Sequence, residues 1–305
     1  MSPEPFSSLG ILETPEFFPH GPRTDFHTKR AKFEPVPPFV SVSIVVYRND
    51  AVQVTEVLSC LSSSGLPVSV TVVDNSPEDA LRPFVEAAGA EYFFNGGNIG
   101  FGAAHNIAIR RYVGRSAYHL ILNPDLTFGA ETIPALYGFM QENPGVGLAM
   151  PKIFYPDNKE QRLCKLLPTP FDLFLRRFVG KQGHRFARRR MAGYLLEDVD
   201  LTAPRFIPNL SGCFMFVRME ALQAVGLFDE RFFLYMEDVD LCRRIAAQWE
   251  TVFYPYASIV HEYGNASYRD PHHLKLHMTS AWKYFNKWGW LRDPIRDALN
   301  ARVRG

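Results

Sequence analysis

Between residues 40 and about 150 the chain alternates short β-branched runs with helical patterns, and this alternation restricts its fold more than any other feature. Val40-Ser-Val-Ser-Ile-Val-Val-Tyr47 reads as a buried strand. Residues 51–64 follow as a helix with Val54, Val57, Leu58 and Leu61 on its inner face. Val68 to Asp74 forms a second strand, closed by Asn75-Ser76-Pro77, and leads into a helix at about 79–88. A short strand at Glu91–Phe94 precedes the glycine-rich stretch Asn95–Gly102, which opens a helix reaching about Tyr112. Tyr118–Leu122 is a fourth strand, stopped by Asn123-Pro124-Asp125, and a helix near 130–142 and a strand near 146–150 complete this half. Such alternation implies a Rossmann-like α/β fold, a mostly parallel sheet with helices on both faces. Ligands bind such sheets at the carboxyl ends of the strands. Asp74, Asn75, Asn98 and Asp125 all fall at or just beyond those ends.

Beyond residue 151 the pattern loosens. Ile207 to Val217 reads as a turn entering a strand, and Thr251–Tyr254 and Ala257–His261 as two further strand-like runs. Between them lies Phe228 to Arg244, with five acids packed among aromatics ahead of Leu241, Ile245 and Trp249 at helical spacing. Glu237 and Asp238 fall in the first turn of that helix, where the helix dipole favours a charged carboxylate. A fixed carboxylate beside an aromatic wall suits a general base; the same acids also suit a helix cap.

Composition excludes several classes. Net charge is +1, so nothing global points to nucleic acid. Four scattered cysteines without a C-x-x-C pair argue for buried, reduced thiols in a cytosolic protein, against zinc and against a disulfide framework. No apolar run approaches the roughly 20 residues needed to cross a bilayer. Residues 1–38 hold eight of the 23 prolines and read as an extended arm without an export signal. The rest divides into a catalytic domain at 39–268, with halves at 39–150 and 151–268, and a tail at 269–305.

Two regions are basic. Leu173 to Leu196 holds Arg176, Arg177, Lys181, Arg185, Arg188, Arg189 and Arg190 and no acid. The tail from Arg269 carries eight Lys/Arg against three Asp, interleaved with Trp282, Tyr284, Phe285, Trp288 and Trp290. Together they lead us to expect peripheral attachment to an anionic membrane face. The alternatives are a solvated loop for the first and a helix packed on the catalytic domain for the second.

The glycine stretch fails as a dinucleotide fingerprint, because Gly100-Phe-Gly102-Ala-Ala-His105 has His where that motif wants Gly or Ala. Its glycines still permit positive φ and close backbone approach, and Asn106, one turn beyond Gly102, is placed to brace the loop. An Asp closing a central strand, as in Asn123-Pro-Asp125, can hold a divalent cation chelated by a diphosphate; it can also be a simple turn residue.

Val72-Val-Asp-Asn-Ser76, Asn98-Ile-Gly-Phe-Gly102 with Asn106, Asn123-Pro-Asp125, Ser211-Gly-Cys213, Gly226 to Glu230, Phe233 to Leu241 and His261 occur in that order. The set, spanning about Ser41 to Ser267, resembles bacterial family-two inverting glycosyltransferases, particularly their rhamnosyltransferase-like branch. The resemblance implies a glycosyltransferase A fold and a nucleotide-diphospho-sugar donor, with dTDP-L-rhamnose favoured. It implies a divalent metal, Mg²⁺ or Mn²⁺, and a glycan or lipid-linked acceptor. By the same resemblance Asp74 reads the base, with Asn75, Asn98, Gly100, Gly102, Asn106 and Asn123 around the donor. Asp125 and His261 hold the metal. Asp238, with Glu237 beside it, supplies the catalytic base, and Ser211, Gly212 and Asp240 face the acceptor. Asn123 stands where many relatives carry the first acid of Asp-x-Asp.

Two rival readings remain. A sugar-nucleotide pyrophosphorylase needs a basic, glycine-rich loop after the first strand, and Tyr47-Arg48-Asn49-Asp50 is not one. A silent nucleotide-sugar or glycan-binding module would not need Asp125, Asp238 and His261 together. The expected cellular location is the cytoplasm, at the inner face of the plasma membrane.

Overall fold

A computed structural model describes residues 40–175, 185–262 and 271–304. All of them belong to one compact unit, Pro35–Gly305. The Pro-rich arm, Arg176, Arg177, Lys181, Ser267 and Arg269 lie outside the described residues.

In chain order the elements are β1 (Val40–Val46), α1 (Ala51–Ser62), β2 (Val68–Asp74), α2 (Arg82–Ala87), β3 (Glu91–Phe94), α3 (Phe101–Tyr112), β4 (Tyr118–Leu122), β5 (Leu126–Phe128), α4 (Thr132–Glu142) and β6 (Val146–Phe154). They continue with α5 (Pro170–Phe174), α6 (Arg185–Tyr194), β7 (Arg205–Phe206), β8 (Phe214–Arg218), α7 (Met219–Val225), α8 (Glu237–Ala246), β9 (Glu250–His261), α9 (Pro271–Trp288) and α10 (Pro294–Arg302).

The strands form a nine-stranded sheet, ordered β3-β2-β1-β4-β8-β6-β9-β5 with β7 on β9. The β3-β2-β1-β4 portion is parallel, as the alternation predicts. β8 then enters antiparallel between β4 and β6, and β6 pairs parallel with β9. Strand β6 therefore lies beyond β8 rather than beside β4. It also runs straight through the division between residues 150 and 151, so both halves share one sheet. The two expected runs at 251–254 and 257–261 are one strand, β9, with a register shift where it passes Pro151 and Lys152. β5 (Leu126–Phe128) was not expected. It pairs Leu126 with His261 and so brings Asp125 beside the end of β9.

Period-two alternation sorts β1 between the two faces. Val40, Val42, Ile44 and Val46 enter the main core with Val54, Val57, Leu58 and Leu61 of α1. Val45 and Val73 face the other way, against Ala104 and Ala108 of α3. On that second face Ser41 and Ser43 build a polar network. The hydroxyl of Ser41 meets His119 Nδ1 at 2.7 Å, and that of Ser43 meets His119 Nε2 at 2.8 Å and His105 Nδ1 at 2.7 Å. Burial pushes both imidazoles down, His119 to about 3 and His105 well below its ordinary value.

The tail packs on the catalytic domain. Tyr284 and Phe285 are buried with Phe232, Met236 and Leu299. Trp288 donates to Asp240 at 2.7 Å, and Lys287 pairs with Asp229 and Asp240 at 2.7 Å. Arg243, itself buried, forms an ion pair with Asp293 at the start of α10. For these tail aromatics the packed-helix alternative is what the structure adopts, while Trp282 and Trp290 stay exposed. The four cysteines are free thiols, three of them buried. Among the described residues no helix is long and apolar enough to cross a membrane.

Candidate active site

A cleft of about 610 Å³ opens at the carboxyl ends of β1, β2 and β4. Asn75, Asn98, Gly100, Asn123, Asp125, Ser211, Gly212, Glu237, Asp238 and His261 all line it. Residues scattered over nearly two hundred positions thus meet in one place.

One wall is the turn before α3. Asn75 Nδ2 donates to Asn98 Oδ1 and to the Gly100 carbonyl, both at 3.2 Å, and Asn98 Oδ1 accepts from Gly100 N–H at 2.9 Å. Gly100 has φ +96°, and a Cβ there would lie 2.5 Å from the Phe233 carbonyl oxygen. Only glycine meets both demands. That carbonyl also accepts from Phe101 N–H at 2.9 Å, which ties the start of α3 to the loop ahead of α8.

The floor is Asn123-Pro124-Asp125. Asn123 N–H donates to the Cys213 carbonyl at 2.9 Å. Asp125 Oδ2 lies 3.4 Å from His261 Nε2, and Asp125 Oδ1 is buried without a hydrogen-bond partner. Gln161 Nε2 donates to the His261 carbonyl at 2.8 Å, so its Oε1 accepts from His261 Nδ1 at 3.1 Å. This assignment puts the ring proton on Nδ1 and turns the Nε2 lone pair toward a carboxylate. A carboxylate and an imidazole lone pair facing each other, with the far nitrogen held by an amide, suit a divalent cation. Among the described residues no group of three or more His, Cys, Asp or Glu side chains could hold one alone. A cation here would have two protein ligands and would complete its shell with other oxygens.

The opposite wall is the turn into α8. Tyr235 and Met236 both adopt positive φ, +69° and +68°, a strained arrangement for non-glycine residues. It delivers Glu237 and Asp238 to the cleft in different states. Asp238 is half-buried and accepts from Gly212 N–H through Oδ2 at 3.1 Å and from Val239 N–H through Oδ1 at 2.8 Å. Glu237 is 4% exposed, and its Oε2 has no hydrogen-bond partner. Burial, reinforced by the charge of Asp238, pushes the Glu237 carboxyl well up. The expectation that the helix dipole keeps both acids charged therefore fails for Glu237, where desolvation is the larger effect.

Four expected site residues do not line the cleft. Asp74 is fully buried; its oxygens accept from Ser76 N–H at 2.7 Å and from the Tyr92 hydroxyl at 2.5 Å. Both sides of this carboxylate serve to fix the end of β2. Gly102 is where α3 packs on Phe228, since a Cβ there would lie 2.9 Å from Phe228 Cβ. Asn106 braces the acidic loop rather than the glycine turn. It accepts from Phe228 N–H at 3.0 Å and donates to the Phe228 carbonyl and to Glu230 Oε1 at 2.9 Å. Asp240 is fully buried, pairs with Arg244 one turn along α8, and ties that helix to Lys287 and Trp288 of α9.

The sequence reading missed other cleft residues. Tyr235 hydrogen-bonds His273 at 2.9 Å and meets the His277 ring edge-on, and all three line the cleft with Lys165 and Asn209. A His-x-x-x-His spacing on α9 was the available signal. Gln161, which orients His261, had none.

Comparison with known proteins fits this geometry. The family model described as Glycosyl transferase family 2 matches residues 41–226. An N-acetylglucosaminyl-diphospho-decaprenol L-rhamnosyltransferase of Mycobacterium tuberculosis is 31% identical over 256 residues, 78% of this chain and 81% of that protein. The low-salt glycan biosynthesis hexosyltransferase Agl10 of Haloferax volcanii is 25% identical over 67% of this chain and 61% of its own length. The solved mannosyltransferase PcManGT of Pyrobaculum calidifontis superposes with a TM-score of 0.53 at 17% identity, covering 90% of this chain and 77% of that one, which shows a shared fold. A mixed α/β sheet of the glycosyltransferase A kind, the ordered motifs and the matched family model agree: this chain belongs to glycosyl transferase family 2 and is a glycosyltransferase that uses a nucleotide-sugar donor.

Proposed function

We propose that the enzyme transfers L-rhamnose from dTDP-L-rhamnose to a hydroxyl of a lipid-linked glycan, with inversion at the anomeric carbon. One observation carries the reading. Two consecutive residues, Gly212 and Cys213, hold the two ends of the chemistry: Gly212 N–H fixes Asp238, and the Cys213 carbonyl fixes Asn123, two residues before Asp125. Asp238 and Asp125 thus face one cleft of about 610 Å³, which supports reading the first as the base and the second as a donor-side carboxylate.

Asp238 takes the acceptor proton as the acceptor oxygen bonds to the anomeric carbon and the bond to the diphosphate oxygen breaks. Charge develops at the ring as in other oxocarbenium-like glycosyl transfers. Asp125 and His261 fit a divalent cation, Mg²⁺ or Mn²⁺, which when bound would neutralise the departing diphosphate. The solved mannosyltransferase is a complex with GDP-Man and Mn²⁺, in accord with that fit. The rhamnose donor and the lipid-linked acceptor follow the name of the mycobacterial relative. Such an acceptor puts the working enzyme in the cytoplasm at the inner face of the plasma membrane.

The test is donor turnover across a panel of nucleotide sugars, with and without Mn²⁺, using a short-chain diphospho-sugar acceptor. dTDP-L-rhamnose should be consumed fastest and only with metal. Faster use of a UDP- or GDP-hexose would replace the donor assignment, and absence of any turnover would return the chain to the silent-binding reading.

A further inference from the structure

We propose that α5 and α6 form a preformed seat for an anionic phospholipid bilayer at the mouth of the cleft. The inference rests on the reading that the acceptor is lipid-linked.

The inner side of this pair belongs to the active site: Leu173 of α5 and Tyr194 of α6 line the cleft. The outer side is open. Arg185, Phe186, Arg188 and Arg189 are all exposed, Phe186 at 71%. At about 100° per residue they cover an arc of roughly 160°, and Tyr194 projects from the opposite side. One helix thus turns a tyrosine to the cleft and three guanidinium groups with a phenylalanine to solvent.

Arg190 ties the two helices together. Asp172, 5% exposed, closes a capping box with Thr169 and accepts from Arg190 Nε at 2.7 Å. The Arg190 guanidinium lies over the Phe171 ring, 5.2 Å from its centre, and that ring is 44% exposed. Arg190 is therefore consumed in joining the helices. Arg185, Arg188 and Arg189 have no acidic neighbour on either helix besides Asp172, which Arg190 already neutralises. Cations that pair with no acid among the described residues, beside exposed phenylalanines, match a headgroup layer over acyl chains. A polyanion such as RNA would match the arginines but gives no reason for Phe186 to project into water.

Co-sedimentation of the full chain with phosphatidylglycerol and with phosphatidylcholine vesicles tests the idea. Binding is expected to phosphatidylglycerol at low salt, to fall as salt rises, and to be absent from phosphatidylcholine. Each basic residue at an anionic surface changes partitioning about fivefold, so Arg185→Ala/Arg188→Ala/Arg189→Ala should lose roughly 100-fold. Phe186→Ser should lose about tenfold through lost apolar burial. Donor hydrolysis in solution should be unchanged in both variants, which separates this seat from the catalytic reading. Failure of the full chain to bind phosphatidylglycerol at low salt overturns the proposal. Binding by the triple variant equal to wild type overturns it too, and an unchanged Phe186→Ser variant would assign the patch to a soluble polyanion.

Discussion

Gly212 and Asp238 are matched to each other: the glycine N–H donates to the carboxylate at 3.1 Å, and a Cβ on the glycine would sit 3.0 Å from Asp238 Cβ. The contact both orients the acid and limits its neighbour to hydrogen. Asp238→Asn keeps the shape and removes the proposed base, and should lower kcat about 10²–10⁴-fold with donor affinity preserved. Gly212→Ala should lower kcat about tenfold by displacing the carboxylate a few tenths of an ångström. Steady-state kinetics beside donor calorimetry checks both; turnover of Asp238→Asn within a few-fold of wild type would remove it as the base.

Glu237→Gln should behave differently from its neighbour. Burial, with the charge of Asp238 beside it, pushes the Glu237 carboxyl well up and favours its neutral form, for which an amide is a close substitute. We expect activity within about threefold of wild type, a size below what loss of a general base produces. A loss as large as that of Asp238→Asn would show that Glu237 works as a carboxylate.

Asp125→Ala should erase the metal-dependent part of nucleotide affinity and spare the rest. Its Oδ1 is buried without a partner and its Oδ2 faces His261, an arrangement that leaves acceptors for a cation. Titration of dTDP with and without Mn²⁺ reads this directly. Equal enhancement by Mn²⁺ in wild type and variant would reduce Asp125 to a turn residue.

Gly100→Ala should destabilise the fold by about 2–4 kcal/mol, combining a positive-φ penalty with a clash against backbone. The clash is at the Phe233 carbonyl, 2.5 Å from the added Cβ, which no side-chain rotation relieves. Urea unfolding gives the value; a change under about 0.5 kcal/mol would mean the loop before α8 yields freely.

Stability should fall on mild acidification. His105 and His119 are neutral in the folded state, with His119 held down to about 3. An unfolded histidine takes up its proton near pH 6.5, so below that pH the unfolded chain binds more protons and is favoured. The stabilisation is complete above about pH 6.5 and is lost progressively toward pH 3. Each group contributes a slope of about 1.4 kcal/mol per pH unit in that window. Urea midpoints at pH 7, 6 and 5 should fall steadily, and less steeply in a His105→Gln/His119→Gln variant. Parallel slopes for the two proteins would contradict the assignment.

Legibility in the sequence followed how local each determinant is. Val54, Val57, Leu58 and Leu61 stand on one face of α1 as their spacing predicts, because helix periodicity is set within a few residues. The place of β6 was hidden, since the strand that separates it from β4 arrives more than sixty residues later. Asp74 shows the limit of such a reading: a carboxylate ending a strand looks alike whether a base or, as here, the Tyr92 hydroxyl reaches it. Glu237 and Asp238 share one helical turn, and the rotation of about 100° between them buries the first and opens the second. Ser41 and Ser43 gave no sign of the histidines beneath α3, which come from two other elements.

The bond between Asn106 and the backbone of Phe228 spans 122 residues. Contacts of that separation form only after the intervening chain is placed, and loop-closure entropy opposes them until then. Strand β8 lies within that interval and must first insert between β4 and β6. The place of the segment carrying Asp238 therefore depends on a contact that the chain between must first permit. A chain cut short of its final third would keep Asn75, Asn98 and Asp125 but would have neither Asp238 nor His261 to face them across the cleft.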